Sequence, residues 1–321
     1  MSTAEIKNIN KKVRVIFMGT PEFALPSLSA LIKNGDYWEI VGVFTQPDKP
    51  VGRKQILTAP PVKTLAEANG LPVYQPDKIK NQELLIKSLA PDLIVVVAYG
   101  KIIPPAILDI PAHGCINVHA SLLPKYRGAA CLNAPILNGD EETGVTIMQM
   151  EAGLDTGPIL RQAKIKLTGQ ENLSDVHDRL SKLGGEILSE TLQDFLTGKI
   201  TPQKQDETAA SYISTLKKGD GRIAWSDSAQ KIERMVRAYN PWPGTFAYYQ
   251  NKIIKIIAVD SKILAGTDKK IGQIFQHEGK LAIQCGQDSL LILKLQIEGK
   301  TAINAIDFLH GNPGFIDQIL S

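Results

Sequence analysis

The sequence predicts an α/β protein, an open, doubly wound and mostly parallel sheet followed by a small C-terminal β-barrel. Three observations predict it. Through the first two-thirds of the chain, apolar strand-like runs alternate with helical patterns. The run Leu93–Val97 (LIVVV) is apolar at every position, as a strand covered on both faces must be. Beyond residue 222 the texture changes to short strand-like segments separated by turn residues.

Each element follows from its residues. Val13–Met18 (VRVIFM) is a buried strand that ends at the turn Gly19-Thr20-Pro21, and Glu22–Lys33 carries a helical pattern through Phe23, Leu28 and Leu31. Glu39–Phe44 is a second strand, and Gln46–Pro61 reads as a polar, proline-rich loop. A helix over Val62–Asn69 stops at Gly70, Leu71–Tyr74 is a brief strand, and a helix over Asn81–Ala90 leads into Leu93–Val97. Gly114–Val118 and Val145–Met150 are further strands, with a helix over Ala129–Leu137 between them. Ile159–Ile165 adds a hairpin arm, and Leu173–Phe195 is a long helix. Inside it, Gly184-Gly185 would cost about 1 kcal/mol each against alanine, so a packing reason is expected. Residues 203–221 are polar and read as a linker or an extended crossing segment, which sets domain boundaries at 1–202 and 222–321. The second domain opens with a helix over Ala229–Ala238 and the rigid turn Tyr239-Asn240-Pro241-Trp242-Pro243-Gly244. Strands follow over 245–249, 253–259, 272–276, 281–285 and 290–295, with a small helix over 304–309.

With 321 residues the chain suits two domains. Its net charge of +3, from 36 basic and 33 acidic residues, neither calls for a nucleic acid nor excludes one. The three cysteines, Cys115, Cys131 and Cys285, are scattered and form no CxxC pair, which argues against a structural zinc site or a disulfide framework and fits a reducing cytoplasm. The start, MSTAEIKNINKK, has no apolar core, and no stretch reaches the about 18 continuous apolar residues of a membrane span, so secretion and membrane insertion are not expected.

Gly19 follows the first strand, but no G-x-G-x-x-G and no phosphate-binding P-loop is present. The fold is therefore used without its commonest cofactor motif. The richest region is Ile116-Asn117-Val118-His119-Ala120-Ser121-Leu122-Leu123-Pro124. Asn117 and His119 are two apart, which on a strand puts both side chains on one face, at the end of the strand where open α/β sheets place ligands. Asp155 follows another strand, in Gly153-Leu154-Asp155-Thr156-Gly157, and the two loops can meet over the sheet. A carboxamide can stabilise a developing oxyanion, an imidazole can donate to it or relay a proton, and a carboxylate can orient the imidazole and favour its charged form. No Ser or Cys nucleophile is partnered with the histidine, so direct transfer to an incoming amine is more natural than an acyl-enzyme. The plain alternative is a satisfied structural His beside a turn-forming Asn and Asp. Metal binding by His113 and His119 is poorly supported, because no third ligand stands at useful spacing except Cys115.

Several motifs carry a resemblance. They are Phe17-Met18-Gly19-Thr20-Pro21-Glu22-Phe23, Val97-Ala98-Tyr99-Gly100, Asn117–Pro124 with Tyr126-Arg127-Gly128-Ala129-Ala130, and Gly144-Val145-Thr146-Ile147-Met148 with Gly153–Gly157. Together they resemble the folate-dependent formyltransferase family over nearly the whole chain, in particular its members whose acceptor is methionyl initiator tRNA. The resemblance implies a Rossmann-like catalytic domain and an OB-like (oligonucleotide-binding) barrel. It implies 10-formyltetrahydrofolate as donor, no metal, and a monomer that meets tRNA and reduced folate in the cytoplasm. Asn117, His119 and Asp155 would be the catalytic trio. The folate pocket would involve Val95, Val97, Ala98, Tyr99, Ser121, Leu122, Leu123 and Pro124, with the loop Gly139, Asp140, Glu141, Glu142 and Thr143.

The same resemblance sends the loop Gln46–Pro61 into the acceptor stem, with Lys49, Arg53 and Lys54 on phosphates or base edges. It assigns Arg234, Arg237 and Lys252 to the tRNA body. The chain departs from the family pattern in two places. Gln55 and Ile56 follow Lys54 where more basic residues are expected, and Cys131 replaces a usual proline. A competing reading keeps the folate chemistry and changes the acceptor to a small amine, while a third makes the chain an RNA-binding module without chemistry. The second domain and the basic loop argue against the former, and the complete trio against the latter.

Overall fold

The computed structural model describes residues 12–321 apart from Arg53 and Thr267. The expected polar lead-in at the start of the chain and the expected RNA contact at Arg53 therefore fall outside the described residues. The chain forms two units and alternates between them. One takes residues up to 128, 144–165 and 177–212, and the other takes 129–143, 166–176 and 213–321.

The first unit is built on a seven-stranded sheet. Its strands, with the short hairpin β3–β4, are β1 (Val13–Gly19), β2 (Trp38–Phe44), β3 (Lys49–Val51), β4 (Ile56–Thr58), β5 (Val73–Tyr74), β6 (Leu93–Val97), β7 (Cys115–His119), β8 (Glu142–Gln149) and β9 (Ile159–Lys166). The order across the sheet is β5-β2-β1-β6-β7-β8-β9. The pairings from β5 through β7 are parallel, and β8 runs antiparallel to β7. The parallel strands step outward in one direction from β1 and in the other from β6. This Rossmann-like topology opens a crevice beyond the carboxyl ends of those two strands. As its unbroken apolar run requires, β6 is buried at every position.

Helices α1 (Leu25–Lys33), α2 (Pro61–Ala68), α3 (Glu83–Ser88) and α4 (Pro105–Leu108) connect the strands, and α5 (Ala134–Asn138) and α6 (Leu173–Leu196) follow. The start of α6 is fixed by a reciprocal cap. The Asn172 side chain accepts from the amides of Ser174 and Asp175, and the Asp175 carboxylate accepts from the amide of Asn172. The glycine pair in α6 has the anticipated packing reason. A Cβ on Gly184 would lie 2.9 Å from Val118, and one on Gly185 would lie 2.7 Å from the backbone of Pro26. Val118 is the residue between Asn117 and His119, so α6 covers the sheet face opposite the one that carries those two side chains.

Two expectations are revised. The segment Gln46–Pro61 is not wholly irregular, because β3 and β4 pair antiparallel from Lys49↔Thr58 to Val51↔Ile56. Positive φ at Gly52 (71°) and Gln55 (48°) allows the tight turn. The helix expected over Ala129–Leu137 is confined to Ala134–Asn138, with turns before it.

The second unit holds a smaller antiparallel sheet of β10 (Thr245–Tyr249), β11 (Lys252–Val259), β12 (Ile274–His277), β13 (Lys280–Gln284), β14 (Ser289–Ile297) and β15 (Ile303–Asn304). Its order is β10-β11-β14-β13-β12, with β15 on β14. Helices α7 (Ala229–Ala238) and α8 (Ala305–Gly311) belong to it, as does α5. Ser228 caps α7 by accepting from the amide of Lys231 at 3.2 Å. Ile232 and Val236 of α7 join Ile254, Ile256, Ile283, Leu290, Leu295 and Phe315 in one core.

All three cysteines are buried and unpaired. Burial pushes the thiols of Cys115 and Cys285 from 9.0 up to about 12, and the Tyr99 phenol from 10.0 up to about 12. The folded chain keeps these protons at a pH where the unfolded chain has released them. Their contribution to stability is intact below the ordinary values and is lost as pH rises from about 9 toward about 12. The melting temperature is therefore expected to fall progressively above pH 9. Thiol reagents at neutral pH are expected to consume Cys115 and Cys285 only on unfolding, which a thiol titration in increasing denaturant would record.

Candidate active site

Strand β7 presents Asn117 and His119 on one face, as their spacing of two requires. Asn117 is half-buried and His119 is 6% exposed. The ring nitrogen Nε2 of His119 lies 3.0 Å from the carbonyl oxygen of Tyr126. A carbonyl only accepts, so Nε2 carries a hydrogen. The other nitrogen, Nδ1, lies 3.7 Å from Oδ2 of Asp155, which is an ion-pair distance and too long for a hydrogen bond. Both ring nitrogens thus face acceptors. A neutral imidazole has one hydrogen, here on the Nε2 that faces Tyr126 O, whereas an imidazolium carries a second on Nδ1.

Asp155 reaches the histidine by a route the strand order does not suggest. Antiparallel pairing sets Gln149, the last residue of β8, opposite Ile116 and sets Thr146 opposite His119. The chain leaves β8 at the far end from His119, so the loop between β8 and β9 must fold back over the sheet. Asp155 itself adopts φ 53°, a left-handed conformation that Asp tolerates better than most residues. Its Oδ2 accepts from the amide of Gly128 at 2.8 Å, and its main-chain oxygen accepts from Nε2 of Gln205, also at 2.8 Å.

The loop after β7 is tied down through Thr146. Its hydroxyl donates to Ser121 O (2.7 Å) and accepts from the Leu123 amide (3.1 Å), while Gln162 donates to Thr146 Oγ1 and Leu123 O. Ser121 and Leu123 are buried, and Leu122 and Pro124 are half-buried. Val95 and Val97 are fully buried in the sheet, so only their backbone could meet a ligand. Ala98 is exposed with φ 48°, and the carbonyl of Tyr99 accepts from Thr20 Oγ1 and Gln46 Nε2, both at 3.0 Å. The loop Gly139–Thr143 belongs to the second unit. There Gly139 caps α5 at φ 69°, Glu141 O accepts from the amide of Leu167, and Thr143 is buried.

The expected RNA contacts are spread over both units. Lys49 and Lys54 are exposed on the β3–β4 hairpin beside exposed Val51, Ile56 and Leu57. In the second unit Lys252 is exposed, and Arg234 donates to Asn138 O at 3.2 Å. Arg237, with a side chain 15% exposed, pairs with buried Glu233 and donates to Glu171 O at 2.7 Å. Sequence reasoning assigned no role to Gln205 or Glu207. They lie in the segment read as a linker, yet both bond to buried Arg127 in the first unit. A fully buried arginine always needs such partners, and that requirement is the one signal that could have prompted a search for them.

A cavity of about 590 Å³, lined by Leu108, His113, Gly114, Met150 and Phe195 among others, opens at the start of β7 and includes none of the trio. Among the described residues no group of three or more His, Cys, Asp or Glu could hold a metal ion, and no helix is long and apolar enough to cross a membrane.

A formyl transferase family model matches residues 11–192, and a model of the formyl transferase C-terminal domain matches 215–313. The chain belongs to the formyltransferase family. It is 47% identical to the methionyl-tRNA formyltransferase of Citrifermentans bemidjiense over 93% of each chain, and 49% identical to that of Geotalea uraniireducens over 93% of this chain and 95% of the relative. Within the family these relatives place it among the methionyl-tRNA formyltransferases. Solved structures show the same fold. The N-formyltransferase from Helicobacter canadensis, in complex with folinic acid and dTDP-3-aminofucose, aligns with a TM-score of 0.64 at 19% identity over 87% of this chain and 98% of its own. The methionyl-tRNA formyltransferase from Clostridium thermocellum aligns with a TM-score of 0.55 at 18% identity over 78% and 94%.

Proposed function

We propose that the protein moves the formyl group of 10-formyltetrahydrofolate onto the free α-amino group of methionyl initiator tRNA, with Asn117, His119 and Asp155 as the catalytic residues. The observation that carries this reading is the approach of Asp155 to His119, on the face that also holds Asn117. The bond between the formyl carbon and N10 of the folate breaks as the bond to the amine forms. The amine gives up a proton and N10 gains one. Asn117 donates to the formyl oxygen as it takes on negative charge, and the Nδ1–H of the His119 imidazolium, too far from Asp155 for a hydrogen bond, donates to the same oxygen. Tyr126 O fixes the ring through Nε2, so that Nδ1 faces Asp155 and the reacting group. The carboxylate favours the charged ring and relays the proton toward N10 through water.

The backbone of Val95–Tyr99 and the loop Ser121–Pro124 are the proposed folate-binding edges of the first unit. They lie at or follow the carboxyl ends of β6 and β7, next to the point where the strand order diverges, which is where open α/β sheets take ligands. The loop Gly139–Thr143 is a further folate-binding candidate, and no metal takes part. For the tRNA, the reading assigns Lys49, Arg53 and Lys54 to the acceptor stem and Lys252, Arg234 and Arg237 to the body of the RNA. An OB-like barrel is the finer reading of the second unit. It is supported by residues 317–321, which hydrogen-bond to Gly272 and Ile274 beside one edge of the sheet and to Tyr248 at the other. A cytoplasmic monomer completes the proposal.

The test supplies folate labelled in its formyl group together with methionyl initiator tRNA, methionyl elongator tRNA, or a small amine. Label on the initiator tRNA, and little on the other two, is expected. Label on the small amine alone overturns the assignment of the acceptor. Replacing Arg53 and Lys54 with alanine is expected to raise KM for the tRNA about tenfold or more, with KM for folate unchanged. Unchanged KM for the tRNA in that variant would remove the hairpin from recognition.

A further inference from the structure

We infer that Gln205, held by the buried Arg127, is a positioning residue for the Asp155 carboxylate. The inference rests on the catalytic role proposed for Asp155. Arg127 is 0% exposed, and its guanidinium is fully engaged. Its Nη1 and Nη2 donate to the two carboxylate oxygens of Glu207 at 2.9 and 2.8 Å, and Nη1 also donates to the Tyr212 hydroxyl at 2.7 Å. Its Nε and Nη2 both donate to Oε1 of Gln205, at 3.1 and 2.9 Å.

This last contact decides how the Gln205 amide is oriented. A guanidinium has no acceptor, so the side facing it must be the carboxamide oxygen. The NH2 group is left facing the other way, and it donates to Asp155 O at 2.8 Å and to Gly157 O at 2.7 Å. The loop so held has exposed residues from Glu151 to Leu154 and a left-handed Asp155 at φ 53°. One amide therefore clamps the backbone on both sides of Thr156, next to the residue whose carboxylate must face His119.

The histidine depends on the same strap. Ser211 accepts the amide of Arg127 on its carbonyl oxygen at 2.8 Å and the amide of Tyr126 on its hydroxyl at 2.9 Å. The carbonyl of Tyr126 is the group that orients His119. Residues 205–212 thus reach both ends of the His119–Asp155 pair. Burying an arginine charge is costly unless it is fully paired, and in this protein the paired charge aims an amide at the loop carrying Asp155.

The test uses the full-length protein and the change Gln205→Glu, which keeps size and keeps an acceptor for Arg127 but replaces the two donors with a second acceptor. The kcat is expected to fall about tenfold or more, because small misplacements at a reacting centre are expensive, while KM for folate and for tRNA stay within about threefold. The decisive readout is the cycle with Asp155→Asn. If Gln205 acts through Asp155, Gln205→Glu adds no further loss to Asp155→Asn. Multiplied losses in the double variant, or parental kcat in Gln205→Glu while Asp155→Asn is impaired, overturn the inference alone. Parental kcat in Asp155→Asn overturns the catalytic assignment instead. Should Gln205→Glu fail to fold, Gln205→Met replaces it in the same cycle. It fills similar volume, lacks the donors, and leaves Arg127 to Glu207 and Tyr212.

Discussion

Replacing His119 with alanine is expected to lower kcat about a hundredfold while the protein remains folded and its affinity for tRNA stays near the parental value. A positioned donor to a developing oxyanion is worth about 3 kcal/mol, roughly a hundredfold in rate. The structural cost is smaller. The ring is 6% exposed and bonds to Tyr126 O, so its loss leaves a small cavity and removes that bond, about 1–3 kcal/mol in stability. The proposed RNA contacts are on other side chains and are left unchanged. Single-turnover transfer of labelled formyl, run beside a thermal melt and a tRNA-binding titration, separates the three quantities. Turnover near the parental value would remove His119 from the chemistry.

Gly157→Ala is expected to damage stability and turnover together. A Cβ at this position would lie 1.9 Å from the carbonyl oxygen of Gln149 and 2.9 Å from its carbon. Both neighbours are backbone atoms at the end of β8, so no side-chain rotation relieves the clash and the loop itself must move. Overpacking of this kind costs about 1–3 kcal/mol. The displaced segment also carries Gly157 O, which accepts from Gln205, and Asp155 two residues earlier, so a further loss of kcat of about tenfold or more is expected. Gly153→Ala is the control in the same loop. The three atoms nearest its Cβ all belong to the Thr156 side chain, which can turn away. If the two alanine variants melt and turn over alike, crowding against Gln149 is not what the glycine prevents.

Much of the first unit was legible because burial writes itself into composition. An unbroken LIVVV has to be covered on both faces, and β6 is. A spacing of two places Asn117 and His119 on one face wherever they stand on an extended strand, and β7 extends through both. The direction of β8 was not legible, since alternation along a strand is the same read from either end. The expectation that the two loops meet over the sheet therefore left out the reversal, in which the Asp155 loop leaves β8 at the end far from His119 and returns across the sheet. Residues 205–212 were obscured for another reason. Gln, Asp, Glu, Thr and Ser compose a solvated linker and the partners of a buried guanidinium equally well. What separates the two cases is Arg127, far away in sequence, and no local pattern reports it.

The alternation of the chain between its two units limits how such a protein can be rearranged. Passages occur at 128/129, 143/144, 165/166, 176/177 and 212/213. No single crossover between two relatives exchanges one unit whole, because a break after Tyr212 still carries 129–143 and 166–176 along with the catalytic sheet. Modular shuffling of the kind open to proteins strung like beads is closed to this one. A chimera with a new second unit has to import two internal inserts as well as the tail, or accept mismatched surfaces where those inserts meet the foreign tail.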